Sequence, residues 1–435
     1  MKKTDPEYSQ YLKILDEELL PALGCTEPIA IAYAAAKAVE VLGRPPQHIV
    51  AACSGNIIKN VKGVIVPGTE DLRGIKASAL LGAFWGDAAK QLEVLTGITK
   101  EDVEKCRALL ETDICREEHL QSKAALHIII RVYADDDSAE VELKDTHTNI
   151  VRISRNGELL FSRKDDDVCG DDSNVLTDRS CLSVQKIYDF ATTCDTQDVS
   201  ELLQRQIDYN LRIAEEGLRH QYGANVGATL LKVFGTENLD NLAKAYAAAG
   251  SDARMSGCVL PVIINSGSGN QGMTASLPVI VYARYLQKSQ DTLYRALLIS
   301  NLVAIHQKTR IGRLSAYCGV VSAACGSGAA ITYLSGGTYE QICKTITNTL
   351  ADVSGIVCDG AKPSCAAKIA SALDAALMAH HMAMNEKTFG AGEGLVKENV
   401  ERTIESIGQL ASRGMPAVDA EILKIMVDDE DGEEE

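Results

Sequence analysis

Two long stretches of the chain, residues 255–283 and 314–339, carry no charged side chain. Each is long enough to cross a bilayer as a helix. Both are interrupted by Gly, Ser, Asn or Gln, as in the loop 265–272, which hydrocarbon does not accept. We therefore expect protein interior, where small residues allow backbones to approach closely. The absence of charge predicts where a buried functional site lies.

The overall composition excludes several classes of partner. The 435 residues have a net charge of −17, and seven of the acids lie in residues 428–435, which we expect to form a disordered tail. No basic stripe is present, which argues against nucleic acid and against a membrane surface as partners. Residues 1–6 lack the apolar run of a signal peptide, and 13 cysteines, an odd number, are typical of reduced thiols in the cytoplasm.

Hydrophobic periodicity predicts a mainly helical α+β protein. Helices are expected over residues 8–20, 28–42, 75–96, 102–110, 199–219, 239–249, 274–306, 339–352, 365–381 and 396–413. Strands are expected over residues 125–133, 139–144, 149–154 and 158–162, with 48–53 as a further strand and Asn156-Gly157 as a hairpin turn. A polar loop is expected at residues 163–180. The pattern predicts a large helical catalytic domain, residues 1–111 and 171–427, with a small α+β lobe inserted at residues 112–170.

Three cysteines, Cys318, Cys358 and Cys365, stand in contexts rich in glycine, alanine and serine. Steps of 40 and 7 residues match neither the Cys-x-x-Cys pairs of structural zinc sites nor the compact run of a small ferredoxin. Three thiolates could hold three irons of a cubane cluster and leave the fourth open for Lewis-acid chemistry. The alternative is that these cysteines are ordinary buried hydrophobic side chains.

Four features together resemble a known family: Leu-Gly-Cys-Thr-Glu-Pro at residues 23–28, Ser-Gly-Asn at residues 54–56, the loop 265–272 and the three cysteines. Over nearly its whole length the chain is similar to the L-cysteine desulfidase branch of the iron–sulfur L-serine dehydratase alpha-chain family. The resemblance implies an oxygen-sensitive [4Fe–4S] cluster held by Cys318, Cys358 and Cys365, and no pyridoxal phosphate.

Two departures from the serine dehydratases bear on the substrate. Those enzymes have a Ser-His-Thr element where this chain has Gly24-Cys25-Thr26. They can also place a C-terminal cysteine on the fourth iron, whereas no cysteine follows Cys365 here. Both differences favour a thiol substrate, and sulfur is the softer ligand for iron.

Cys25 is the predicted catalytic residue. Because Pro28 can begin a helix, the thiol is expected near a helix N-terminus, where N–H groups and the helix dipole favour a thiolate. Cys25 is then either a general base or a displaceable fourth ligand of the cluster. The alternative is an ordinary buried thiol.

Polar side chains in two turns are predicted to bind the substrate. Asn265, Ser266 and Asn270, with the N–H groups of their loop, form a cradle suited to a carboxylate. Ser54 and Asn56 offer a second such turn, with Lys59 close by. One of three cations that precede Cys318 is expected to steer an anionic substrate, unless they merely form a solvated helix end; they are Lys308, Arg310 and Arg313.

The glycines at residues 267, 269 and 272 match Gly-x-Gly-x-x-Gly, the fingerprint of dinucleotide-binding proteins. The segment that follows is predicted to be helical, and no second strand offers an acidic ligand to a ribose. This context argues against a nicotinamide-dependent oxidoreductase.

The sequence therefore predicts a cytoplasmic carbon–sulfur lyase that converts L-cysteine to sulfide, pyruvate and ammonia. L-serine dehydratase with the same cluster is the enzymatic alternative. A non-catalytic iron–sulfur sensor or scaffold is the alternative of another class. The expected partner is a small amino-acid substrate, and a homo-oligomer is compatible with this interpretation.

Overall fold

The computed structural model describes residues 1–163 and 176–428, and over them the fold is mainly helical with a small mixed sheet, as the sequence predicts. The helices are α1 (Pro6–Glu18), α2 (Thr26–Leu42), α3 (Gly55–Lys62), α4 (Gly74–Trp85), α5 (Lys100–Leu110), α6 (Val184–Thr193), α7 (Ser200–Arg219), α8 (Val226–Phe234), α9 (Leu239–Met255), α10 (Gly269–Tyr285), α11 (Gln290–Ile311), α12 (Val320–Leu334), α13 (Tyr339–Asp352), α14 (Cys365–Met384), α15 (Val400–Gln409) and α16 (Pro416–Asp428). The strands are β1 (Pro21–Ala22), β2 (His48–Cys53), β3 (Cys115–His119), β4 (His127–Ala134), β5 (Asp137–Lys144), β6 (Ile150–Arg155), β7 (Glu158–Ser162) and β8 (Val262–Ile263). Residues 164–175 of the predicted loop and residues 429–435 of the predicted tail lie outside the described residues.

Six strands form one sheet in the order β3-β2-β4-β5-β6-β7, in which only the β2–β3 pair is parallel. The predicted addition of residues 48–53 to the sheet of the lobe is confirmed. The predicted turn between β6 and β7 is also confirmed, since Asn156 and Gly157 have φ of 52° and 80°, as a two-residue hairpin turn of type I′ requires. One face of this sheet packs on α2, which joins the lobe to the helical body.

Most residues of the two charge-free stretches are buried, as predicted, although Val259 and the turn at residues 335–336 are exposed. One supplies β8, the loop before α10 and most of α10, and the other supplies α12. Small residues set the distance between the helices: a Cβ on Gly326 of α12 would lie 2.3 Å from the carbonyl oxygen of Ser300 in α11. Among the described residues, no helix combines the length and apolarity that a membrane crossing needs.

A short ribbon brings two distant motifs together. β1 pairs antiparallel with β8, and the N–H of Ile264 donates to the carbonyl of Leu20 at 2.9 Å. Residues 23–28 follow one strand of this ribbon and the loop 265–272 follows the other. The ribbon therefore fixes the Gly-Cys-Thr-Glu-Pro motif beside the glycine-rich loop.

Two of the predicted helices are much longer than the helices in the structure. The helix expected over residues 274–306 is two helices, because Ser289 caps α11 by accepting from the N–H of Thr292 and Gln287 has a positive φ of 51°. The helix expected over residues 75–96 ends at Trp85, where Gly86 leaves the helical conformation. Helix α10 begins earlier than expected, at Gly269, so the last part of the glycine-rich loop is its first turn.

Candidate active site

The three predicted ligand cysteines lie together. A β-bridge joins Tyr317 to Val357, with the N–H of Cys318 donating to Ile356 at 2.8 Å and that of Cys358 donating to Ala316 at 2.7 Å. This bridge brings the thiols of Cys318 and Cys358 within hydrogen-bond reach, although they are 40 residues apart in the chain. Cys365, the first residue of α14, lines the same cavity of about 80 Å³.

These thiols influence each other's protonation. A hydrogen bond from Cys318 lowers the pKa of Cys358, with help from the charge of Lys59 and against the effect of burial. The same contact, together with burial, raises the pKa of Cys318. Burial also raises the pKa of Cys365. The geometry therefore favours one thiolate among the three sulfurs, at Cys358.

Four helix N-termini meet at this cavity. The residues that begin or cap α2, α10, α12 and α14 all line it: Cys25, Ser268, Gly319 and Cys365. Each helix is at least 15 residues long. Because each N-terminus carries roughly half a positive charge and unpaired N–H groups, the arrangement favours anions in the cavity.

Cys25 lines the cavity, but its environment differs from the expected one. It caps α2, and its Sγ donates to Oε2 of Glu27 at 2.9 Å. Burial and the Glu27 carboxylate raise the pKa of Cys25 well above its usual value, although Arg254 acts in the opposite direction. The expected thiolate at the helix N-terminus is therefore a thiol in this structure, because two nearer effects outweigh the helix dipole.

Glu27 and His147 are two residues of the site that the sequence analysis missed. Burial opposes the ionisation of Glu27, but the His147 imidazole and the Cys25 thiol lower the pKa of Glu27 to about 2. His147 comes from the loop between β5 and β6, and its Nε2 lies 3.8 Å from Oε1 of Glu27. The lobe therefore contributes the His147 side chain to the cavity. Of these two residues, only Glu27 could have been identified from the sequence, because it belongs to the motif at residues 23–28.

The predicted substrate cradle is brought to the cavity only in part. Ser266 and Asn270 line it, and both are buried. Asn265 is also buried, but its Nδ2 donates to Oδ1 of Asn301 at 3.0 Å, so this side chain holds the loop to α11. Helix α10 follows a strand of two residues, whereas a dinucleotide fold needs a strand of a parallel sheet.

Ser54 and Asn56 do not line this cavity, which corrects their expected position. They line a neighbouring cavity of about 570 Å³ between α3 and α16. The hydroxyl of Ser54 donates to the carbonyl of Ala125 at 2.8 Å, because Ser54 directly follows β2 where that strand pairs with the start of β4. Lys59 of the same helix forms an ion pair with Asp419.

Three cations line the cysteine cavity: Arg254, Lys308 and Arg313. Arg313 and Lys308 belong to the predicted group, whereas Arg310 does not line the cavity. Burial lowers the pKa of Lys308 to about 8, although the sulfurs of Cys358 and Cys318 act in the opposite direction. Arg254 was not among the residues predicted from the sequence. The signal that could have indicated it is its position as the last charged residue before the charge-free stretch 255–283.

Three cysteine thiols are a donor set that suits an iron–sulfur cluster. The three cysteines are free of disulfides and lie on the wall of one cavity. Within the described parts of the chain, no three Cys, His, Asp or Glu side chains are grouped to ligate one ion. A cluster instead takes each thiolate on a different iron, and buried cations with helix N-termini suit its bound thiolates.

Comparison with known sequences shows the family of this chain. A sequence model of the family described as serine dehydratase alpha chain matches residues 89–424. A UPF0597 protein of Lachnoclostridium phytofermentans is 56% identical over 420 residues, which cover 97% of this chain and 100% of the relative. UPF0597 proteins of Desulfitobacterium hafniense and Treponema denticola are 52% and 49% identical, and the alignments cover 98% and 97% of this chain and 98% and 99% of the relatives. The chain belongs to the serine dehydratase alpha-chain family.

Proposed function

We propose that the protein is an iron–sulfur-dependent lyase that eliminates sulfide from L-cysteine. The Cα–H and Cβ–S bonds break, H₂S leaves, and 2-aminoacrylate reacts with water to give pyruvate and ammonia. The observation that supports this most is the meeting of three unbridged thiols with four helix N-termini at one small cavity; Cys318 and Cys365 are buried and Cys358 is half-buried.

A [4Fe–4S] cluster on Cys318, Cys358 and Cys365 would supply a Lewis-acidic iron for the departing sulfur. The chain itself supplies the surroundings of that group. Lys308 and the N-terminus of α12 place positive charge beside the cysteines, which compensates the negative charge of bound thiolates. Burial in the interior excludes bulk water from the reacting atoms.

Cys25 and Glu27 are proposed to handle the substrate proton. In the resting enzyme the proton is on Sγ of Cys25, which donates to Oε2 of Glu27 at 2.9 Å, so Glu27 orients the thiol. Because the pKa of Glu27 is about 2, Glu27 does not keep this proton, and the thiol gives it to solvent before the substrate enters. The charge of Arg254 favours the resulting thiolate, which is then positioned to take the Cα proton. The His147 imidazole, whose Nε2 lies 3.8 Å from Oε1 of Glu27, favours the ionised form of this carboxylate.

L-serine dehydratase is the second candidate, and the family to which the chain belongs favours it. The thiol at position 25, where the serine dehydratases have a histidine, favours cysteine instead. A non-catalytic iron–sulfur sensor remains the alternative of another class, but a sensor has no need of the buried carboxylate–thiol pair.

The test is purification without oxygen, followed by the visible spectrum, iron content, sulfide release from L-cysteine and pyruvate release from L-serine. We expect a broad absorbance lost on exposure to air and faster turnover of L-cysteine than of L-serine. A serine rate that exceeds the cysteine rate would establish the dehydratase. Bound iron without turnover of either amino acid would establish the sensor.

A matched set of cysteine variants tests the ligand assignment. Alanine at position 318, 358 or 365 should remove most of the bound iron. The control is Cys325→Ala, because Cys325 is fully buried on α12 and does not line the cavity. Iron retained in a Cys318→Ala, Cys358→Ala or Cys365→Ala protein would contradict the assignment of that residue.

A further inference from the structure

Arg254, one of two arginines that line the cysteine cavity, forms no ion pair with an acid among the described residues. Arg254 is 2% exposed, and its Nη1 donates to Oδ1 of Asn270 at 3.2 Å. Its Nε has no hydrogen-bond partner, and within residues 1–163 and 176–428 no carboxylate forms an ion pair with the guanidinium. A buried guanidinium without an ion-pair partner strongly destabilises the fold unless another group neutralises its charge and accepts its hydrogen bonds.

The other two cations of the cavity differ in this respect. Arg313 forms an ion pair with Oε1 of Glu18 at 2.7 Å. The Nζ of Lys308 donates to the backbone carbonyl of Arg313 at 3.2 Å, and its charge acts on the sulfurs of Cys358 and Cys318. Arg254 is therefore the cation whose full charge and free donor are available to an anion in the cavity.

The guanidinium also lies against the first turn of α10. A Cβ on Gly269 would stand 2.3 Å from Nε of Arg254, so glycine is required for this contact. Ser268 caps the helix without a side-chain hydrogen bond, which leaves N–H groups of the first turn unpaired by the cap. The planar guanidinium of Arg254, which can donate two parallel hydrogen bonds, therefore lies beside the N-terminus of α10. Both groups bind carboxylates well.

We propose that Arg254 binds the α-carboxylate of the amino-acid substrate, with Asn270 holding the guanidinium in position. This inference rests on the proposed function for the identity of the substrate, but the anion site stands on Arg254 itself. In this proposal the charged side chain of Arg254 in α9, called the anchor below, binds the carboxylate in place of the predicted cradle of loop side chains. The cavity then selects for a free carboxylate and not for amino compounds in general.

The first experiment uses protein without its cluster, so that binding is measured apart from turnover. L-alanine and L-alaninamide have the same side chain, but only L-alanine has a carboxylate. We expect L-alanine to raise the Tm of the wild-type protein and L-alaninamide to leave it unchanged. Equal stabilisation by the two compounds, or by neither, would overturn the anchor without any variant.

Variants then locate the effect. Arg254→Gln should weaken L-alanine binding by about 10- to 150-fold, the range for losing a hydrogen bond to a charged group. Arg254→Lys, which keeps the charge in case the neutral variant fails to fold, should retain part of the affinity because it loses only the fork. The control is Arg295→Gln, a partly buried arginine paired with Asp291 and remote from the cavity lining. Parent-like binding by Arg254→Gln would refute the proposal.

Turnover separates this proposal from the proposed function. With the cluster in place, the preference for L-cysteine over its methyl ester should fall by a similar factor of about 10 to 150 in Arg254→Gln. An equal fall in the turnover of L-cysteine and of its methyl ester would mean that Arg254 has only a structural role, and would overturn the anchor. If no variant or parent protein turns over either amino acid, while the carboxylate-specific binding still depends on Arg254, the lyase function fails and the anion site stands.

Discussion

Exchanging the sulfur of Cys25 for oxygen tests the proton-handling pair directly. In Cys25→Ser the hydroxyl can still donate to Glu27, and serine is a favourable residue at the start of a helix. We therefore expect the free energy of unfolding to change by less than about 1 kcal/mol, because the hydrogen bond persists. The bound iron should also stay at the parent level if Cys25 is only a base.

The rate should respond far more strongly. A serine hydroxyl beside an anionic Glu27 cannot be deprotonated as a thiol can, so the proposed base is lost. The expected fall in the rate of sulfide release is about 10²- to 10⁴-fold, the range for a positioned acid–base group. A Cys258→Ser protein is the control, because Cys258 is buried but does not line the cavity.

The partner substitution makes the test quantitative. If Cys25 and Glu27 act as one unit, Cys25→Ser combined with Glu27→Gln should be about as slow as the slower single variant, since such effects are strongly non-additive. The assay is anaerobic sulfide release, with iron content and Tm measured on each sample. A Cys25→Ser protein that keeps its cluster and the parent rate would refute the base and the displaceable ligand together.

Two further predictions concern other parts of the fold. Gly360→Ala and Gly392→Ala place alanine at φ of +93° and +91°, but only at Gly360 would the Cβ meet a neighbour, the Lys59 carbonyl oxygen at 2.1 Å. Urea unfolding should therefore show Gly360→Ala to be less stable by at least about 2 kcal/mol, with less bound iron, and equal stabilities would contradict this packing. Burial and the neighbouring His381 lower the pKa of His380 from 6.5 to about 4, so the native state resists a proton that the unfolded chain accepts. Stability from this group is present above pH 6.5 and is lost as the pH falls toward 4, so the parent should lose about 2 kcal/mol between pH 7.5 and 5 that His380→Gln does not lose, and equal pH dependence would contradict it.

Local signals in the sequence were sufficient for much of the fold. Helix α13 was predicted with its correct bounds; there, Thr338 and Gln341 form a capping box over the first turn. The Asn156-Gly157 turn was likewise predicted from two residues. Where a signal of this kind was overlooked, as at Ser289, two helices were predicted as one.

The candidate site shows where such signals end. The sequence by itself pointed to the residues that are proposed to carry the chemistry, namely three cysteines in small-residue contexts and Cys25 in its hexapeptide, and to two charge-free stretches expected to be buried. Only the tertiary structure determined the protonation of these side chains and their hydrogen-bond and ion-pair partners. Asn265 is held by Asn301 from another helix, and Ser54 faces a different cavity. The Cys25 thiol keeps its proton because Glu27 and burial outweigh a helix N-terminus. In the part of the chain that the structure describes, Arg254 has no ion-paired acid, whereas Arg313 of the same cavity pairs with Glu18. Caps and periodicity act within a few residues of chain, whereas protonation and ion pairing depend on groups that only folding brings within a few ångströms of each other.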